Sequence, residues 1–197
     1  MTRRHEFTGV EIAALLDALD DRLRRRGVAA AVFVVGGAAM SANRTRRDRV
    51  TEDVDALTRD ETILDEARAL ARERGLPENW LNSNALMWMP PLPSGVLDVP
   101  DEAGLRVTFA DDGFLFATKL VAQRAKDADD VVALALRLGL ESASPAELEA
   151  HIRRYYTDAA ALEFIIDGND VDREIIYLAE DASRMIRRAT RERGSRG

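Results

Sequence analysis

A strand-like run ending in two glycines, followed by a second carrying two carboxylates two residues apart, constrains this chain more than any other feature. The first run reads Val32-Phe-Val-Val-Gly36-Gly37 and the second contains Thr51-Glu-Asp53-Val-Asp55. Side chains on a strand alternate faces, so Asp53 and Asp55 point the same way, with Cα atoms roughly 7 Å apart. Carboxylates so placed can reach a pair of divalent ions about 4 Å apart, the spacing that drives in-line phosphoryl transfer. The glycines remove side chains where a phosphate chain could lie against backbone N–H groups. Neither the Gly-Lys-Ser/Thr of a P-loop nor a Gly-x-Gly-x-x-Gly after a strand is present. The pattern points to nucleotide chemistry.

Composition narrows the cofactor. The chain has no cysteine, so disulfides and cysteine zinc sites are excluded, and only His5 and His151 could offer imidazole. Any metal is therefore expected on oxygen ligands, which favours Mg2+ or Mn2+. No apolar run approaches the ~20 residues of a membrane span and no signal-peptide pattern opens the chain, so no membrane partner and a cytoplasmic location are expected. The net charge of −7 is unevenly spread: residues 1–50 hold ten arginines against six acids, and residues 184–197 hold six arginines against one glutamate. A basic end beside an acidic middle suits either a nucleic-acid or antitoxin partner, or simply charged helix faces and a frayed tail.

Periodicity gives the organisation. Thr8-Gly-Val-Glu11 resembles a capping box, with Ile12, Leu15, Leu16, Leu19 and Leu23 at helical spacing and Gly27 as a stop. Ala30–Val35 reads as a strand, Ala38 to about Asn43 as a short helix, and Val54–Thr58 as a second strand. Thr58-Arg-Asp-Glu61 looks like another capping box for a helix ending at Gly75. Residues 79–95, with both tryptophans and three prolines, read as irregular; Val96–Val99 and Leu105–Ala110 are further strand candidates. From Asp111 the pattern is helical, near 113–125, 127–138, 145–157, 159–166 and 170–192, with Ser144-Pro-Ala-Glu147 as the clearest start. The expected fold class is α/β (α+β): a small mixed sheet flanked by helices over 1–110, then a helical bundle over 111–197 whose basic tail frays from about 190.

Two further groups carry charge in informative places. Lys119 is the one charge in the apolar run Phe114–Ala122, and residues 119, 123, 126 and 130 share a face if the helix is continuous. The alternative is a lysine snorkelling at a helix edge. Arg44, Arg46, Arg47 and Arg49 precede the Asp-x-Asp; they suit a grip on triphosphate or RNA backbone, or a solvated loop. Tyr155-Tyr156 fits core packing between helices, or stacking on a base.

The strand, Gly-Gly and Asp-x-Asp order resembles the nucleotidyltransferase superfamily that includes DNA polymerase beta. More narrowly, Gly36-Gly37-Ala-Ala-Met with Thr51-x-Asp53-Val-Asp55 is similar to the AbiEii-type toxins and their relatives. The fifteen residues between Gly37 and Asp53 slightly exceed the usual spacing, the surplus falling in the arginine-rich loop. The resemblance implies Mg2+-dependent transfer of a nucleoside monophosphate from a nucleoside triphosphate to tRNA, another RNA or a protein acceptor. It also implies the toxin role in a toxin–antitoxin pair, with a cognate antitoxin as partner. Asp53 and Asp55 would bind metal, while Gly36, Gly37 and Arg44 would bind nucleotide. Lys119 would face the triphosphate ahead of an Arg-Asp-x-x-Asp-like motif made of Lys126, Asp127 and Asp130. A third acid common in the superfamily is expected at Asp98, since strand 105–110 has none and Trp80-Leu-Asn82-Ser83 carries Ser83 where relatives often have aspartate. The competing expectation is a catalytically weak nucleotide-binding or interaction module of such a pair.

Overall fold

In the computed structural model the described residues are 5–42, 49–166 and 170–194. They form two compact units: residues 1–86 with 92–110, and residues 87–91 with 111–197. The chain is mixed α/β, with a four-stranded mixed sheet among the described residues.

The first unit opens with helix α1, Gly9–Arg25, which starts where the sequence signals it. The Thr8 hydroxyl accepts from Glu11 N–H at 3.3 Å, and the Glu11 carboxylate accepts from Thr8 N–H at 2.8 Å. This reciprocal cap satisfies two donors that a helix start otherwise leaves unpaired. The Ile12, Leu15, Leu16, Leu19 and Leu23 stripe is buried, against the sheet and the helix Glu61–Arg74.

The strands are β1 (Ala29–Val34), β2 (Val54–Leu57), β3 (Leu81–Asn82) and β4 (Gly104–Phe109), ordered β3-β2-β1-β4. β1 runs parallel to β4 and antiparallel to β2, and β2 runs parallel to β3. Interior strands bury both faces and so read as continuous apolar runs; Ala30 to Val35 is buried at every position. Helix α2, Gly36–Ala42, follows β1 directly, and α3, Glu61–Arg74, follows β2. Trp80 is fully buried and donates its indole N–H to the Ala67 carbonyl of α3 at 2.9 Å. That bond seats the start of β3 on the helix.

Three local expectations change. The cap of α3 is Asp60, whose carboxylate accepts from Thr62 N–H at 2.8 Å. Thr58 donates its hydroxyl instead to the Ala31 carbonyl of β1, at 3.1 Å. The irregular stretch contains β3, two residues long. Conversely Val96–Val99 is a turn rather than a strand: Asp98 N–H donates to the Gly95 carbonyl at 3.1 Å, and Gly95 has φ +73°. The Arg106 guanidinium donates to the backbone carbonyls of Gly95 and Asp98, which uses the acceptors a strand would need for pairing.

The second unit comprises α4 (Asp112–Ala122), α5 (Ala128–Leu138), α6 (Pro145–Tyr155), α7 (Ala159–Ile165) and α8 (Val171–Gly194). Ser144 and Glu147 form the expected capping box with Pro145 at the first helical position. Every residue of α4 from Gly113 to Leu120 is buried, and α4 packs with α5, α6 and α8. α4 and α5 are not continuous: Gln123 takes φ +38°, in the left-handed region, and a 3-10 turn over 125–127 leads into α5. Tyr156 is core, as packing favours. Its hydroxyl donates to the Trp88 carbonyl at 3.0 Å, and burial pushes its pKa well up. Among the described residues no helix is long and apolar enough to cross a membrane.

Candidate functional site

β1 and β2 pair with Val34 opposite Ala56, so the backbone just past β1 meets the acidic strand. Val35 N–H donates to the Asp55 carbonyl at 2.9 Å. The next residue, Gly36, has φ +62°, and a β-carbon there would lie 3.1 Å from Asp55 Oδ2. At Gly37 a β-carbon would lie 2.9 Å from Thr51 Oγ1 and 3.2 Å from Arg49 Nη2. The two glycines thus let the acidic strand close on the turn: Asp55 takes the room beside Gly36, and Thr51 with Arg49 takes the room beside Gly37.

Arg49 and Thr51 are well held. Thr51 forms an antiparallel bridge with Phe7, through bonds of 2.7 and 3.0 Å. The Arg49 carbonyl accepts from Ser41 Oγ at 2.8 Å, and its Nη1 donates to the Val50 carbonyl at 3.0 Å. Arg44, with Arg46 and Arg47, lies outside the described residues.

Asp53 immediately precedes β2, and both it and Asp55 are half-buried. The adjoining strand adds a group that sequence reading missed. Asn82 of β3 stands opposite Asp55 in the register, is 8% exposed, and donates Nδ2–H to Asp53 Oδ2 at 3.1 Å. A two-residue strand has no periodicity to detect; the local hint was an asparagine two residues after the buried Trp80. Asp98 is exposed, on its turn, with its carboxylate directed back at Gly95: a β-carbon there would lie 3.0 Å from Asp98 Oδ2.

The donor set is all oxygen, as suits a hard cation that keeps several waters. The close approach of Gly36 to Asp55 leaves no side chain between turn and carboxylate. Two half-buried carboxylates are the kind of oxygen donor that a divalent cation of this class takes. No cluster of three or more His, Asp or Glu with metal-holding geometry occurs among the described residues.

Gly36→Ala is expected to lower stability by about 1–2 kcal/mol, the cost of a left-handed Cβ, before counting the 3.1 Å contact. Urea denaturation measures it; an unchanged midpoint would contradict the close packing of turn and strand.

Lys119, Asp127 and Asp130 come together in the second unit. Lys119 Nζ lies 2.8 Å from Asp127 Oδ1 and 2.9 Å from Asp130 Oδ2, and all three side chains are at most 4% exposed. Arg124 Nε adds a bond of 2.7 Å to Asp127 Oδ2 from a half-exposed position. Burial pushes the Asp127 carboxyl up, but the charge and hydrogen bond of Lys119, then those of Arg124, outweigh it and hold it below its ordinary value. Two cations thus balance two carboxylates. The break at Gln123 makes this possible by turning the chain so that Asp127 and Asp130 face back to Lys119. Lys126 is exposed. No family model, curated protein or solved structure compared with the chain matches it.

Proposed function

We propose that the protein is a nucleotidyltransferase that uses Mg2+ or Mn2+ to move a nucleoside monophosphate from a nucleoside triphosphate to an acceptor hydroxyl. The observation that carries this reading is the closure of the Asp53–Asp55 strand onto the Gly36–Gly37 turn, with Asp55 Oδ2 against Gly36. In this reaction the acceptor hydroxyl gives its proton to water as its oxygen attacks the α-phosphorus, the bond from that phosphorus to the bridging oxygen breaks, and pyrophosphate leaves. Asp53 and Asp55 would hold the cation, which would supply Lewis-acid stabilisation to the charge on the phosphoryl oxygens. Arg49 and Thr51, beside Gly37, offer a guanidinium and a hydroxyl to phosphate oxygens. Lys119, Asp127 and Asp130, which resemblance assigns to the nucleotide, act in this reading first as an internal ion set that orders α4 and α5. The acceptor class is RNA, including tRNA, or a protein, and the role is that of a toxin paired with an antitoxin; these follow from the family resemblance.

A second reading is a nucleotide-binding module with little turnover. It is favoured by the exposed turn position of Asp98 and by the absence of a three-acid cluster among the described residues. Incubation with each α-labelled nucleoside triphosphate, Mg2+ and total cellular RNA separates the two. The first expects label covalently on RNA or protein with release of pyrophosphate. Saturable binding without transfer selects the second, and neither binding nor transfer overturns both.

A further inference from the structure

Asn82 is a nearly buried amide whose two ends are both committed. Its Oδ1 accepts from Asn84 N–H at 3.0 Å, a turn closing the end of β3, and its Nδ2 donates to Asp53 Oδ2 at 3.1 Å. The backbone donor decides the orientation: with Oδ1 on an N–H, the amide must present its NH2 to the carboxylate. Pairing of β3 with β2, Asp55 opposite Asn82, sets that amide in the sheet beside the acidic strand.

We propose that Asn82 is a positioning residue for the metal site: it holds one oxygen of Asp53 and fixes the plane in which that carboxylate meets a cation. The inference rests on the two-carboxylate metal reading above. Asp53 lies just outside β2, where backbone pairing does not hold its side chain. A neutral donor restrains it before the ion arrives and adds no charge of its own. Outer partners of this kind typically change metal affinity about 10–100-fold when removed.

Mn2+ binding to the whole protein, followed by the loss of the free-ion electron paramagnetic resonance signal, tests this with two variants. Asn82→Ala removes the donor and is expected to raise the Mn2+ Kd about tenfold or more. Asn82→Asp keeps the size and the acceptor for Asn84 N–H but replaces the donor by a third carboxylate. With the N–H that holds Asp53 gone and a like charge beside it, both the Mn2+ Kd and the bound-ion spectrum are expected to change. A role confined to the turn would leave Asn82→Asp at the wild-type Kd. An unchanged Kd in either variant overturns the inference while the metal reading stands. Wild-type protein that binds no Mn2+ overturns the metal reading and the inference together. Should Asn82→Ala fail to fold, the isosteric aspartate alone decides.

Discussion

Lys119→Met is expected to destabilise the helical unit by about 3–5 kcal/mol, because it leaves two carboxylates buried without their cation. Asp127 and Asp130 are 1% and 0% exposed, so water does not substitute for the lost ammonium. Arg124 still pairs with Asp127, so the loss falls first on the Lys119–Asp130 contact. Urea unfolding of the full chain followed by circular dichroism measures the loss. Adding Asp130→Leu to Lys119→Met should recover part of it, since removing both partners of a buried pair costs far less than removing one. The pH dependence has a defined sign. The folded pKa of Asp127 is lowered, so its contribution is fully present above the unfolded value of about 3.9 and is lost as pH falls through the lower folded value. A Lys119→Met protein with the wild-type midpoint would show that the ammonium serves a ligand and not the fold.

Asp53→Asn and Asp55→Asn are each expected to slow nucleotidyl transfer at least about a thousandfold, roughly 4 kcal/mol of barrier. The substitution preserves shape and removes the charge that holds the cation. Val54, Ala56 and Leu57, the buried residues of β2, are untouched, so the urea midpoint should stay near that of wild type. Asp98→Ala serves as the comparison. Its carboxylate is exposed and folded onto its own turn, so transfer should change less than about twofold, within surface behaviour. Full activity in either strand variant would remove the metal assignment.

Much of the fold is legible in the sequence. The α1 stripe, the stop at Gly75 and the Ser144–Glu147 box are local signals, each carried by residues within one or two turns of the place they act. β1 was legible because an interior strand reads as an apolar run, and β4, at the edge of the sheet, because its Val107, Thr108 and Phe109 favour extended backbone. Where reading failed, a distant partner decided. Thr58 has the chemistry of a cap, but the Ala31 carbonyl claims its hydroxyl and Asp60 takes over. Val96–Val99 has strand-like composition, but Arg106 occupies the carbonyls of Gly95 and Asp98 and leaves a turn.

The site divides in the same way. The sequence by itself determined that two glycines end a buried strand and that two carboxylates, Asp53 and Asp55, follow two residues apart, since both are matters of spacing along the chain. Only the tertiary structure decided what meets them. Antiparallel pairing of β1 with β2 brings Gly36 to Asp55, and the two-residue β3, defined by its neighbour and not by its own pattern, carries Asn82 to Asp53. Lys119 shows the same limit within the helices: its lone charge was visible, but the left-handed Gln123 that folds Asp127 and Asp130 back onto it was not. Such pairings depend on how separate segments fill space together, and no single segment's pattern encodes them.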